Sequence, residues 1–317
     1  RQPMDHVEYA GVHSGDATIS IPPYRTGERT IVKIAEYTGL IAKALQVRGP
    51  FNIQYLVKNG QVYVIECNLR CSRSMPFSSK VYNIDLLGYG TRCILGEPLS
   101  LNDDRLEEIF DKVYAPLQLV WGVKSPQFSW AQIRGSYPFL GPEMRSTGEV
   151  AAVGLEFHEA LMKSWLSATP NTIPPKDVPI LVYPDSQRTV PRLKAVAEVL
   201  RESGYEVLTL EESPIPGVPE IRGETAVKAI RLRRIGTLIS SGYIPQIDYD
   251  VRRAAVDHNI PVILNAELAL EISKALKMLT DRTLKMTTME LGELWEINRQ
   301  RISPLLVGRK RDMGGLR

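Results

Sequence analysis

The sequence predicts an α+β unit built round a hairpin, followed by an α/β unit with an open parallel sheet. Three observations carry this. Residues 51–80 contain two apolar strand segments on either side of Asn59-Gly60, a strong hairpin signal. From Val178 onward short apolar strands alternate with amphipathic stretches, the pattern of repeated crossovers in one parallel sheet. Between the two patterns, Asn171-Thr-Ile-Pro-Pro-Lys-Asp177 reads as a linker. A chain of 317 residues is long enough for two cores. The expected divisions are residues 1–98, an extension over 99–172, a second domain over 173–290 and a tail over 291–317.

Glu28 to Val47 reads as a helix, because Ile31, Ile34, Leu40, Ile41 and Leu45 give a broad apolar face. The hairpin that follows is a question of parity. A two-residue loop at Asn59-Gly60 pairs Gln54 with Ile65 and puts Gln54 and Glu66 on opposite faces. A three-residue loop, with Gly60 left-handed in a bulge, puts Asn52, Gln54, Glu66 and Asn68 on one face. Ile53, Tyr55, Val57, Tyr63, Ile65 and Cys67 then form the other. The second arrangement separates polar from apolar residues and is the one expected. Leu86 to Leu95 and Glu156 to Leu166 read as further helices.

In the second unit, Val178 to Tyr183, Tyr205 to Leu210, Gly236 to Ser240 and Pro261 to Leu264 are the strand candidates. Val190 to Ser203 is amphipathic, with Pro191 fitting the first turn and Gly204 ending it. Thr225 to Arg234, Tyr249 to His258 and Ala266 to Met278 supply the remaining helices. Ligands are expected at the carboxyl ends of such strands.

The second hairpin strand runs into Glu66-Cys67-Asn68, followed by Arg70 and Arg73. Mg²⁺ takes hard oxygen ligands, usually one or two carboxylates with phosphate oxygens and water. Glu66 supplies charge, while Gln54 and Asn68 supply neutral oxygens. Arg70 and Arg73 suit bidentate contact with phosphate or carboxylate. Together they point to phosphoryl transfer from a nucleotide. The bland alternative, an edge hairpin with a solvated polar face, would suffice for a lone Glu-x-Asn. Gly11-Val12-His13-Ser14-Gly15-Asp16 is too short and irregular for a P-loop and by itself reads as a turn.

Three stretches, His6 to Asp16, Gln54 to Lys80 and Leu140 to Val150, resemble the second half of the carbamoyl-phosphate synthetase large chain. Their order and spacing agree with that family to about residue 290. The resemblance implies the C-terminal lobe of an ATP-grasp fold followed by a Rossmann-like open parallel sheet domain of the methylglyoxal-synthase-like regulatory kind. It implies phosphorylation of carbamate by ATP to carbamoyl phosphate and ADP, with Mg²⁺ (or Mn²⁺) as cofactor. Gln54, Glu66 and Asn68 would hold metal, with Gln54 and Glu66 also at the nucleotide. Arg70 and Arg73 would stabilise the transferring phosphoryl group and the carbamate. Gly11, Val12, His13 and Ser14 would lie along the nucleotide, with His13 a hydrogen-bond contact rather than a base. Glu143, Arg145 and Thr147 would hold the extension or subunit contacts.

The family also implies a glutaminase small subunit or domain that supplies ammonia. The product would feed arginine or pyrimidine synthesis, in the cytoplasm or the mitochondrial matrix. A homo-oligomer is left open. Relatives of the second unit bind a small anion, and the phosphate-binding ones use Gly and Thr after the second strand. Glu211 and Glu212 stand there in this chain, so a weak or absent response to phosphorylated effectors is expected. Ser240-Ser241-Gly242 keeps some small donors. The chain starts close to His6, without an upstream lobe to close over ATP, so a fragment or one piece of a split enzyme is expected, with about half a site.

A net charge of +3 is too small to argue for nucleic acid; only Arg309-Lys310-Arg311 is locally basic, and a solvated terminus is the expected reading. No apolar run is long enough to span a bilayer, so no membrane role is expected. Cys67, Cys71 and Cys93 do not form a metal-binding pattern and read as reduced thiols. Two other classes stand beside the enzyme: a small-anion-sensing module over residues 178–280, and a non-catalytic subunit-interaction piece.

Overall fold

The computed structural model describes residues 3–97, 120–241, 248–297 and 300. Most of the expected extension's first third, Gly242, and the basic triplet at 309–311 lie outside the described residues.

The first unit is built on an antiparallel four-stranded sheet that the sequence reading did not anticipate. Its order is β1 (Asp5–His6), β2 (Ile19–Ile21), β5 (Trp121–Gln127) and β6 (Gly148–Gly154). Helix α1 (Glu28–Ala44) precedes a separate hairpin, β3 (Asn52–Lys58) and β4 (Gln61–Asn68). Helices α2 (Ser74–Tyr82) and α3 (Leu86–Leu95) follow. Asp85 caps α3 by accepting from Gly88 N at 2.8 Å, and left-handed Gly96 ends it. Helix α4 (Phe157–Ser167) packs on β5 and β6.

The hairpin corrects the expected loop. Lys58 pairs with Gln61, so the loop has two residues, and Asn59 and Gly60 both have positive φ, 52° and 73°. That is the type I′ geometry Asn-Gly favours. The extra residue lies further up the strand: Gln54 pairs with Glu66 while Tyr55 pairs with Val64, leaving Ile65 as the bulge. Gln54 therefore still shares a face with Glu66, and Asn52 with Asn68. Tyr63, opposite Leu56, turns to the polar residues' side, and Val62 and Val64 take the other.

The second unit is a five-stranded, wholly parallel sheet. Its order is β11 (Val262–Ile263), β10 (Thr237–Ser240), β7 (Ile180–Tyr183), β8 (Val207–Leu210), β9 (Glu220–Ile221). The four anticipated strands are present, and edge strand β9 is added. Alternation along β7 explains the layering. Ile180 and Val182 pack with Leu193 and Leu200 of α5 (Val190–Glu202) and with Ile272 and Leu276 of α8 (Ala266–Thr280). Leu181 and Tyr183 face Ile230 of α6 (Gly223–Arg231) and Val251 of α7 (Tyr249–Asp257). A strand buried on both faces is what helices on both sides require.

The linker does not separate two independent cores. Val7, Val123, Phe157, Leu161 and Trp165 of the first unit belong to the same buried cluster as Ile180, Leu193 and Leu276. Tyr24, stacked on Phe157 at 3.8 Å, donates to Glu271 Oε2 at 3.0 Å, where His158 also meets it.

Candidate active site

The hairpin, the turn at residues 11–16, the start of α2 and the segment 140–150 surround a cavity of ≈ 950 Å³. Gln54, Glu66, Asn68, Arg70 and Arg73 all line it, as do His13 and Ser14. Gly11 and Val12 do not: Gly11 is exposed at a turn with φ 109°, and Val12 is buried.

The donor set suits a hard cation. Glu66 Oε1 accepts from Asn68 Nδ2 at 3.0 Å, and Gln54 lies directly across the ladder. The buried Oδ1 of Asn52, also on the cavity wall, has no hydrogen-bond partner among the described residues. One carboxylate with amide oxygens leaves most positions of an octahedral ion to phosphate and water, as Mg²⁺ prefers. Among the described residues no three His, Cys, Asp or Glu side chains cluster as metal ligands.

Arg73 is the better braced of the two arginines, though its side chain is 40% exposed. Its Nη2 donates to Ser146 Oγ at 3.2 Å and lies 3.4 Å from Met144 Sδ, and its Nε is 3.7 Å from Glu149 Oε2. Gly15 permits this approach, since a Cβ there would come within 2.8 Å of both Arg73 Nη2 and Met144 Sδ. Arg70 is exposed and donates to Cys71 O at 3.1 Å. Glu149 also meets Lys124 Nζ at 3.3 Å, and Lys124 donates to Ser14 O at 3.3 Å. Lys124 is only 1% exposed, and burial lowers its pKa although Glu149 opposes the shift.

Two stretches far apart in sequence are thus one structural piece. Asp16, fully buried, accepts from Arg145 N at 2.8 Å and from Ser146 N at 2.8 Å. His13 N donates to Gly141 O at 2.8 Å, and His13 Nδ1 accepts from Gly15 N at 3.0 Å, so the ring braces its own turn. Arg145 stacks over Phe139 at 4.8 Å and pairs with Glu143 at 2.9 Å, while Thr147 Oγ1 meets Ser129 Oγ at 2.6 Å. Sequence reasoning missed Asp16, Lys124 and Glu149 as parts of the site. Asp16 and Glu149 lie inside two of the stretches that carry the resemblance; Lys124 had no such signal.

Residues 4–102 match the family described as carbamoyl-phosphate synthase L chain, ATP binding domain. The chain is 46% identical over 290 residues to the carbamoyl phosphate synthase large chain of Sulfolobus acidocaldarius, covering 92% of this chain and 26% of that one. It is 46% identical over 272 residues to the large chain of Saccharolobus islandicus, and 44% over 272 residues to that of Saccharolobus solfataricus; each match covers 86% of this chain and 25% of the relative. The chain belongs to the carbamoyl phosphate synthase large-chain family. It spans about a quarter of the length of these curated relatives.

Glu8 borders both the first cavity and a second one of ≈ 590 Å³ between the two units. Glu8 is 4% exposed; one carboxyl oxygen accepts from Thr18 N at 2.7 Å and the other has no partner among the described residues. Burial pushes its pKa up from 4.5 to about 7. Its contribution to stability is therefore complete below pH 4.5 and is lost as the pH rises through about 7. Glu8→Gln is expected to match the parent in urea unfolding at low pH and to exceed it by up to about 3 kcal/mol in alkali. An equal difference at pH about 5 and about 8.5 would contradict this.

The second unit carries the two acids expected after its second strand. Glu211 pairs with Arg222 at 2.9 Å, and the carboxylate of Glu212 accepts from Gly223 N, at the start of α6, at 2.9 Å. Nearby, Ser241 Oγ donates to Asp185 Oδ1 at 3.1 Å. The second unit also grips the segment that leads into the site. Arg253 donates to the carbonyls of Trp130, Ile133 and Ser136 at 3.0, 3.2 and 3.1 Å, and Arg252 to Pro138 O at 3.0 Å.

Proposed function

We propose that this segment serves, within a longer large chain, the phosphorylation of carbamate by ATP to carbamoyl phosphate and ADP. The observation that carries this is the convergence of Gln54, Glu66 and Asn68 with Arg70 and Arg73 on one cavity wall. A carbamate oxygen attacks the γ-phosphorus of ATP, a P–O bond to carbamate forms, and the bond to the ADP oxygen breaks. No covalent nucleophile on the protein is needed. Bound Mg²⁺ would neutralise phosphate charge, held by Glu66 with Gln54 and Asn68. Arg73 sits where it meets the charge of the transferring group, braced by Glu149, Ser146 and Gly15. Arg70 serves the carbamate or a second phosphoryl oxygen, and Lys124 offsets Glu149. His13 and Ser14 lie along the nucleotide.

In this reading residues 1–98 belong to an ATP-grasp C-terminal lobe and 99–172 to its extension, with a methylglyoxal-synthase-like domain over 173–290. A glutaminase subunit or domain supplies ammonia, and the product enters arginine or pyrimidine synthesis.

The test is calorimetric titration of the chain with Mg·ADP. Binding is expected to require Mg²⁺ and to weaken at least about tenfold in Glu66→Ala. Equal binding by the variant, or binding indifferent to Mg²⁺, would remove Glu66 from the site.

A further inference from the structure

The segment after α8 returns to the first unit and reaches the last turn of α2, the helix that Arg73 precedes. Arg282, with φ 58°, turns the chain out of the helix, and Leu284 is buried in the core shared by both units. Thr287 then donates through both its backbone N, at 2.9 Å, and its Oγ1, at 2.5 Å, to Glu159 Oε1. Glu159 is a built anchor. It is 3% exposed on α4, pairs with Lys163 at 2.7 Å, and accepts from Leu155 N at 2.8 Å. Leu294 is buried, and Trp295 Nε1 donates to Lys80 O at 2.9 Å, in the last turn of α2. A stretch held only by its covalent link to α8 would show none of these ties.

Helix α2 has reason to need such a tie. It is nine residues long, too short to be stable by itself, and Arg73 is the residue immediately before it. Met75 and Ser78 of α2, together with Arg73 and Ser74, line the cavity. Its inner face is fixed by Phe77 and Val81, which pack with Ile21 and against Gly122, where a Cβ would come within 2.5 Å of Val81. That contact holds the last turn from its inner face and leaves the Lys80 carbonyl on the outer side to be met. Trp295 supplies a large, rigid ring and one satisfied N–H at that end.

We propose that residues 284–297 are a clasp, with Trp295 as a positioning residue that fixes α2 and through it the Arg73 guanidinium in the cavity. This rests on the phosphoryl-transfer reading only for what Arg73 does, not for how it is held. The experiment compares amide hydrogen exchange and Mg·ADP affinity in the parent chain, Trp295→Ala and Trp295→Phe. In Trp295→Ala, exchange in α2 is expected to speed at least about tenfold while α5 is unchanged. Mg·ADP affinity is expected to fall at least about threefold. Trp295→Phe, which keeps a ring but not the N–H, is expected to lie between the two. Unchanged exchange in α2 would overturn the clasp, as would equal acceleration in α2 and α5, which marks a contribution to global stability alone. If the parent chain binds no Mg·ADP, the phosphoryl-transfer reading fails, while the exchange data still decide the clasp.

Discussion

Asp16→Ala is expected to destabilise the chain by about 3–5 kcal/mol and to free the segment that carries Met144 to Ser146. Asp16 is fully buried, and its carboxylate is the acceptor for two consecutive backbone N–H groups, those of Arg145 and Ser146. Truncation removes the acceptor and leaves the buried Ser146 N–H and the part-buried Arg145 N–H without it, which costs more than the bonds themselves contribute. Asp16→Asn keeps one acceptor oxygen and should lose about half as much. Urea unfolding gives the magnitude, and amide exchange at Arg145 and Ser146 gives the location. A loss below about 1 kcal/mol, with both amides still protected, would show that the two stretches are held together by something else.

Arg73→Ala is expected to lower the rate of phosphoryl transfer about 10²–10³-fold in a large chain that carries this segment, with little change in stability. Three features make Arg73 the stronger of the two arginines. It is braced by Glu149 at 3.7 Å and Ser146 at 3.2 Å, it is admitted by a glycine at position 15, and it immediately precedes a helix anchored at its far end. Both side chains are exposed, but a cation preorganised by several contacts does more for a transition state than one tied only to the neighbouring carbonyl. Arg73→Lys keeps charge but not the planar fork, and should recover only part of the rate. If Arg73→Ala affected KM alone, the guanidinium would be a ground-state contact and not a stabiliser of the transferring group.

The parts of the chain that were legible in sequence are those where periodicity and burial agree. The second unit's strands are buried on both faces and bounded by turns, so β7, β8, β10 and β11 stand out as apolar runs. The first unit's sheet was not legible. Strand β1 has only two residues, and β5 contains Gly122, Pro126 and a buried Lys124, which breaks any apolar alternation. Lys124 is tolerable there because Glu149 and Ser14 O meet it, which no local pattern reveals. Helix α2 was missed for a related reason: Ser-Met-Pro-Phe-Ser-Ser-Lys-Val-Tyr has a narrow apolar stripe and a proline in its first turn.

The hairpin shows how a correct outcome can follow from a displaced cause. The polar cluster needs one extra residue in the second strand, and no local pattern marks where it lies. The structure puts it at Ile65 and leaves Asn59-Gly60 as a plain two-residue turn. Gln54 and Glu66 come together either way, but Tyr63 does not end on the apolar face. That face is also barer than expected, since Val64 is 48% exposed.

The central claim is that this cavity handles the phosphoryl group of carbamoyl phosphate, and its most direct test is the reverse reaction. The segment would replace the matching quarter of the Sulfolobus acidocaldarius large chain, to which it is 46% identical, and ATP formation from carbamoyl phosphate and Mg·ADP would be measured. The account predicts turnover by the chimera that Glu66→Ala abolishes and Arg73→Ala lowers about 10²–10³-fold. A folded chimera that makes no ATP, or one whose rate survives both substitutions, would contradict it.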